Sequence, residues 1–141
     1  MRGRVLAVDP GSVRVGLALS DEGRILASPL RTLPGQPADQ VAARVAQVVE
    51  ETGAAEVVVG LPRRLDGRHG PEAQAARHLA DEIRRLTRLP VRLVDERMTT
   101  ALAERQLLAA DVKRARRKQL RDQSAASVLL QGFLDRARDA G

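Results

Sequence analysis

Val5-Leu6-Ala7-Val8-Asp9-Pro10-Gly11-Ser12-Val13-Arg14-Val15-Gly16-Leu17-Ala18-Leu19-Ser20 carries the information that sets the fold. Val5 to Val8 is a short unbroken apolar run, the pattern of a strand buried on both faces. Asp9-Pro10-Gly11-Ser12 then turns the chain. Val13, Val15, Leu17 and Leu19 alternate with Arg14, Gly16, Ala18 and Ser20, so a second strand runs back antiparallel to the first. Asp21-Glu22-Gly23 makes another turn, and Ile25 to Leu30 is expected to supply a third strand. Pro34-Gly35-Gln36-Pro37 ends this meander.

Beyond it the period changes. Val41, Val45, Val48 and Val49 recur at helical spacing, with Gly53 as the stop. Val57-Val58-Val59 reads as a buried strand, and Gly60 to Gly70 as a loop. Pro71 sits where a helix accepts proline, and that helix is expected to run to about Leu86. Val91 to Val94 gives a fifth strand ending at Asp95-Glu96, and Thr99 or Thr100 can cap the next helix. A basic stretch from Lys113 to Arg121 precedes a last helix reaching about Arg138. The expected architecture is a single α/β domain spanning residues 1–141, with no internal repeat and no linker long enough to divide it.

Composition narrows the function classes. At 43% hydrophobic and 30% charged residues, the 141-residue chain reads as a soluble globular protein rather than a disordered one. Lys and Arg number 24 against 18 Asp and Glu, a formal charge of +6, which makes a polyanion the natural partner. The absence of cysteine excludes disulfides, thiolate metal sites and thiol nucleophiles. The apolar run after Met1-Arg2-Gly3-Arg4 is too short for a signal peptide or a membrane span, so a cytoplasmic protein without membrane association is expected. Phe133 is the lone aromatic residue, which all but excludes recognition by stacking bases on exposed rings. Nucleic-acid contact then has to run through backbone and shape.

Three acidic residues fit that partner. Phosphodiester hydrolysis at neutral pH needs a strong nucleophile and a means of spreading charge at phosphorus. Two Mg²⁺ or Mn²⁺ ions roughly 4 Å apart supply both, given hard oxygen ligands with open positions. Asp9 terminates the first strand and Glu96 the fifth. If the first, fourth and fifth strands are parallel neighbours, these ends meet at one sheet edge, where ligands bind in open α/β sheets. Asp122 is expected in the final helix, on the face carrying Ala126, Leu129 and Phe133. Each acid also has a purely conformational reading: a turn tripeptide at Asp9, a solvated strand end at Glu96, a helix-dipole acid at Asp122. Their joint arrival at one edge is what favours catalysis.

Several segments together resemble the YqgF family, also called RuvX, of bacterial ribonuclease-H-like proteins. They are Val8-Asp9-Pro10-Gly11-Ser12-Val13-Arg14-Val15-Gly16, Val59-Gly60-Leu61-Pro62, Asp66-Gly67, Gly70-Pro71, Asp95-Glu96-Arg97-Met98-Thr99-Thr100-Ala101-Leu102-Ala103-Glu104 and Asp122-Gln123-Ser124-Ala125-Ala126. They occur in the family's order across nearly the whole chain. The resemblance implies an RNase H-like fold: a five-stranded mixed sheet of order 3-2-1-4-5 with helices on both faces. It also implies that Asp9, Glu96 and Asp122 match the family's metal-binding acids. Its members are regarded as nucleases trimming the 5′ end of precursor 16S rRNA, and were earlier named Holliday junction resolvases. The implied partners are structured RNA, with branched DNA as the alternative, and the implied cofactor is Mg²⁺ or Mn²⁺. A non-catalytic RNA-binding factor remains a further alternative. The chain departs from many relatives at Arg63-Arg64-Leu65, where they carry a polar, Asn-containing stretch.

Candidate phosphate-binding residues are Arg14 and Arg97, beside two of the acids, and Lys113, Arg114, Arg116, Arg117, Lys118 and Arg121, just before the third. A merely solvated basic face is the competing reading of that last cluster. His69 and His78 are assigned no role. The sequence shows no clear dimer interface, so a monomer or weak homodimer is expected. A nucleotide phosphotransferase, which also opens on an Asp-x-Gly turn, normally needs a second domain for which this chain has no room.

Overall fold

The computed structural model describes residues 3–62, 70–95 and 124–140. Five strands, β1 (Val5–Asp9), β2 (Arg14–Ser20), β3 (Ala27–Pro34), β4 (Glu56–Leu61) and β5 (Val91–Asp95), form one sheet of order β3-β2-β1-β4-β5. β1 and β2 pair antiparallel, as do β2 and β3, whereas β1, β4 and β5 are parallel neighbours. Helices α1 (Val41–Thr52) and α2 (Pro71–Thr87) provide the crossovers into β4 and β5, and α3 (Ala125–Ala140) closes the described chain. This is the expected RNase H-like arrangement.

Residue alternation divides the core between two faces. Leu6, Val8, Val15, Leu17, Val57, Val59 and Val91 pack with Val41, Val45, Val48 and Val49 of α1 and Ala76, Ala80 and Ile83 of α2. On the other face Val5, Ala7, Ala18, Val58 and Val94 meet Ala126, Leu129, Leu130 and Leu134 of α3. Val5 to Val8 are 0% exposed, because β1 is covered on both sides. That is why its sequence reads as a continuous apolar run rather than an alternation.

The helix boundaries follow local chemistry. Gly53 ends α1 with φ +70°, and its N–H bonds Val49 O. Pro71 opens α2 after Gly70, as expected, and Arg88 closes it in the left-handed region. At α3, Ser124 Oγ accepts the Ser127 N–H at 3.1 Å, the geometry of an N-cap. The helix therefore opens after Ser124. Ala126 and Leu129 are buried on its inner face and Phe133 is half-buried, whereas Asp122 lies outside the described residues.

β3 differs from the sequence expectation, starting two residues later and running to Pro34. Asp21 Oδ1 accepts the N–H groups of both Ile25 and Leu26 at 2.8 Å, which holds these two residues in the turn. Those amides also hold the Asp21 carboxyl below the usual carboxylate range. Arg24 adopts φ +59° in the same turn. A register shift between Leu17 and Ala18 lets Leu30 and Leu33, three apart, both pack on the α1/α2 face.

At the amino edge of the parallel strands, Glu56 is buried and ion-paired twice. Arg24 Nη1 approaches its Oε1 at 2.8 Å, and Arg92 Nε its Oε2 at 2.6 Å. Arg24 Nε also donates to Gly3 O at 2.8 Å. One carboxylate thus ties the β2–β3 turn to β4 and β5. Glu56→Ala strands the guanidinium of Arg24, which is four-fifths buried. The expected loss is about 3 kcal/mol of unfolding free energy, read from urea denaturation, because removing one partner leaves a buried charge uncompensated. A change below about 0.5 kcal/mol, the size of an ordinary surface substitution, would show that the ion pairs are incidental.

Candidate active site at the carboxyl edge of the sheet

The parallel strands β1, β4 and β5 all end at one edge. Val8 pairs with Val59, which places Asp9 one step further, beside Gly60. Gly60 in turn pairs with Val94, and Leu61 with Asp95. Asp9 and the end of β5 thus share the edge that the sequence assigns to them.

Face matters as much as edge. Val5 and Ala7 point to α3, so Asp9, next in that alternation, does too, and it is half-buried. Asp9 lies opposite Gly16 on β2. Across the sheet the row therefore reads Gly16, Asp9, Gly60, Val94, with the carboxylate flanked on both sides by residues without side chains. A methyl group on Gly16 would lie 3.8 Å from Asp9 Cβ and 3.7 Å from Ala126 Cβ. The first turn of α3 therefore comes down directly beside Asp9.

The sequence alone anticipates that row only in part. Gly16 reads there only as one position of an alternating strand, and Gly60 as the start of a loop. A signal exists, since a glycine inside a strand often marks close approach by a ligand or another backbone. Its meaning depends on cross-strand register.

Of the expected site residues, the structure places Asp9 and Arg14. Arg14 opens β2 with an exposed side chain, on the alternation that carries Gly16 and Ala18 toward α3. It shares the edge and face of Asp9. Glu96, Asp122, Arg97, Lys113, Arg114, Arg116, Arg117, Lys118, Arg121 and His69 lie outside the described residues, as does the Arg63-Arg64 loop. Among the described residues, no three His, Cys, Asp or Glu side chains gather as a metal-binding group. The described part of the edge offers a hard cation one oxygen donor, the half-buried carboxylate of Asp9.

Comparison with known proteins gives the kinship of this arrangement. The RuvX family model, described as Holliday junction resolvase, matches residues 3–136. The chain belongs to the RuvX family. One RuvX-type relative, from Mycolicibacterium paratuberculosis, is named "Putative pre-16S rRNA nuclease" and is 47% identical over 140 residues, covering 99% of this chain and 84% of the relative. A relative of the same name from Chloroflexus aggregans is 41% identical over 135 residues, covering 96% of this chain and 95% of its own. Among solved structures, Thermus thermophilus RuvC in complex with Holliday junction substrate matches with a TM-score of 0.63 at 16% identity, over 98% of this chain and 96% of that one. At that identity the likeness establishes the RNase H-like fold.

For this RuvX-family chain the glycine row makes a direct prediction. Gly16→Ala should fold with wild-type stability, because its methyl group meets only ordinary contact distances. Gly16→Val drives further carbons between Asp9 and α3 and should cost about 1–3 kcal/mol by overpacking, measured by urea denaturation. Equal stability of the two variants would refute the close approach of α3 to Asp9.

Proposed function

We propose that this chain is a metal-dependent nuclease that hydrolyses phosphodiesters in nucleic acid, with the 5′ side of precursor 16S rRNA as its substrate. Asp9, Glu96 and Asp122 are the carboxylates proposed to hold the metal, and the chain is proposed to act as a monomer or weak homodimer. The observation that carries this reading is the position of Asp9, at the carboxyl edge, on the α3 face, between two glycines. Glu96 follows β5 and stands two positions after Val94, whose side chain packs toward α3. Asp122 stands two positions before the Ser124 cap of the helix that abuts Asp9. On this reading Glu96 and Asp122 join Asp9 to complete the metal site.

Bound Mg²⁺ or Mn²⁺ supplies an activated water and a counter-charge for the departing oxygen. The residues supply position. Asp9, at the end of a strand sealed on both faces, offers its carboxylate from a rigid base. Arg14, at the same edge, is proposed to hold the phosphate backbone, together with Arg97, Lys113, Arg114, Arg116, Arg117, Lys118 and Arg121. The shared name of the relatives supports precursor rRNA as substrate.

A second reading, cleavage of four-way DNA junctions, is favoured by the description of the family model. Paired symmetric incision requires two sites related by a two-fold axis. A chain that sediments as a monomer at assay concentration argues for the rRNA reading.

Asp9→Asn should abolish cleavage of a precursor 16S rRNA 5′-end substrate in Mg²⁺ or Mn²⁺ while RNA binding persists. The loss should exceed the roughly 10–100-fold typical of removing a group that only supports a metal ligand. Undiminished cleavage refutes the role of Asp9. Replacing Lys113, Arg114 and Arg116 with alanine should weaken binding of all sequences alike. It should also flatten the logarithmic salt dependence by about 0.7–0.9 for each phosphate no longer neutralised. An unchanged slope would assign that cluster to solvent.

A further inference from the structure

The turn that follows Asp9 is held by a segment outside the strands it joins. Gly35, the residue after β3, is buried, and its N–H donates to Val13 O at 2.9 Å. A methyl group on Gly35 would meet Gly11 O at 2.7 Å and Ser12 O at 2.8 Å. Both are backbone atoms, which cannot swing aside as a side chain would. Gln36 Nε2 donates to Ser12 O at 3.1 Å. From behind, Arg44 on α1 holds the same segment, its Nη1 donating to Pro34 O and Gln36 O, each at 3.1 Å.

The turn itself has little slack. A methyl group on Gly11 would lie 2.4 Å from Arg14 O, so the turn is already closed on itself. Three planar peptide units join Asp9 to Ser12, and any displacement of the Ser12 carbonyl must be absorbed by the few soft torsions between them. Asp9 is fixed on its amino side by the β1 ladder and on its carboxyl side by this clamped turn.

We infer that Gly35 is a positioning residue. With Gln36 it clamps the Pro10–Val13 turn and so fixes the Asp9 carboxylate where it can bind a divalent cation. The inference rests on the reading of Asp9 as a metal ligand. A shift of the turn reorients the carboxylate without unfolding the sheet, so its signature is weakened cation affinity out of proportion to any change in stability.

The test measures Mn²⁺ binding by calorimetry and thermal unfolding on the full chain, for wild type, Gly35→Ala, Gln36→Ala, Gly53→Ala and Asp9→Asn. Gly35→Ala should weaken Mn²⁺ binding about tenfold or more, the range for disturbing the support of a metal ligand. Gln36→Ala, an exposed side-chain deletion that should fold normally, is expected to weaken it by a smaller factor. Gly53→Ala is the control, since Gly53 has φ +70° at the end of α1 with nothing within 4 Å of an added methyl group. It should lower the unfolding midpoint and leave Mn²⁺ affinity unchanged. Wild-type Mn²⁺ affinity in both Gly35→Ala and Gln36→Ala overturns the clamp, as does an equal weakening in Gly53→Ala. If Gly35→Ala does not fold, Gln36→Ala decides alone. Wild-type affinity in Asp9→Asn instead overturns the metal-ligand reading, and so separates the two failures.

Discussion

Burial of β1 on both faces is the constraint from which the site follows. Val5 to Val8 exclude water completely, with α1 and α2 on one side and α3 on the other. A strand so enclosed has no freedom to shift by one residue, because a slip would exchange its two apolar sets between cores shaped for different partners. The first residue to leave the enclosure is Asp9. Its carboxylate stands at the end of a strand buried on both faces, at the point where solvent begins. For a group proposed to bind a cation, that rigidity matters as much as charge, since pre-set ligands need no reordering on binding.

The two edges of the sheet perform opposite tasks. At the amino edge, charge is neutralised: Glu56 binds Arg24 and Arg92, and α3 reaches over with Gln131 and Arg138. Gln131 accepts the Ala27 N–H and donates to Ile25 O, both at 2.9 Å, and Arg138 donates to the carbonyls of Arg24 and Ile25. This satisfies backbone groups where β3 begins and anchors the far end of the helix. At the carboxyl edge, glycines replace side chains and Asp9 is left half-buried. Helix α3 spans both ends, so its anchorage at the amino edge helps hold its first turn against Gly16 at the other.

Much of this is legible in sequence because the signals are local. The apolar run of β1, the alternation of β2, the helical spacing of the α1 valines, Gly53 and Pro71 each state their role within a few residues. Hydropathy misplaces the start of β3 because Asp21, up to five residues away, captures the amides of Ile25 and Leu26, and hydropathy carries no trace of such a bond. The helical count from Asp122 runs past a boundary that Ser124 sets through its hydroxyl. The significance of Gly16 and Gly60 is out of reach for a different reason. They are neighbours of Asp9 only through strand pairing, 7 residues away in one case and 51 in the other. Gly35 is joined to the site by a contact between backbones, which leaves no pattern in either segment.

The same geometry bears on how a substrate would be recognised. Val13, at the tip of the turn, is 73% exposed, yet its carbonyl is fixed by Gly35. Arg14 follows it, exposed and on the Asp9 face. A phosphodiester approaching Asp9 along this lip would meet a rigid apolar tip, suited to the face of a sugar, and a guanidinium, suited to its phosphate. Neither reads a base. Phe133 is half-buried against the sheet and unsuited to stacking. On the proposed reading, the described residues at this lip favour recognition of backbone and shape over base identity.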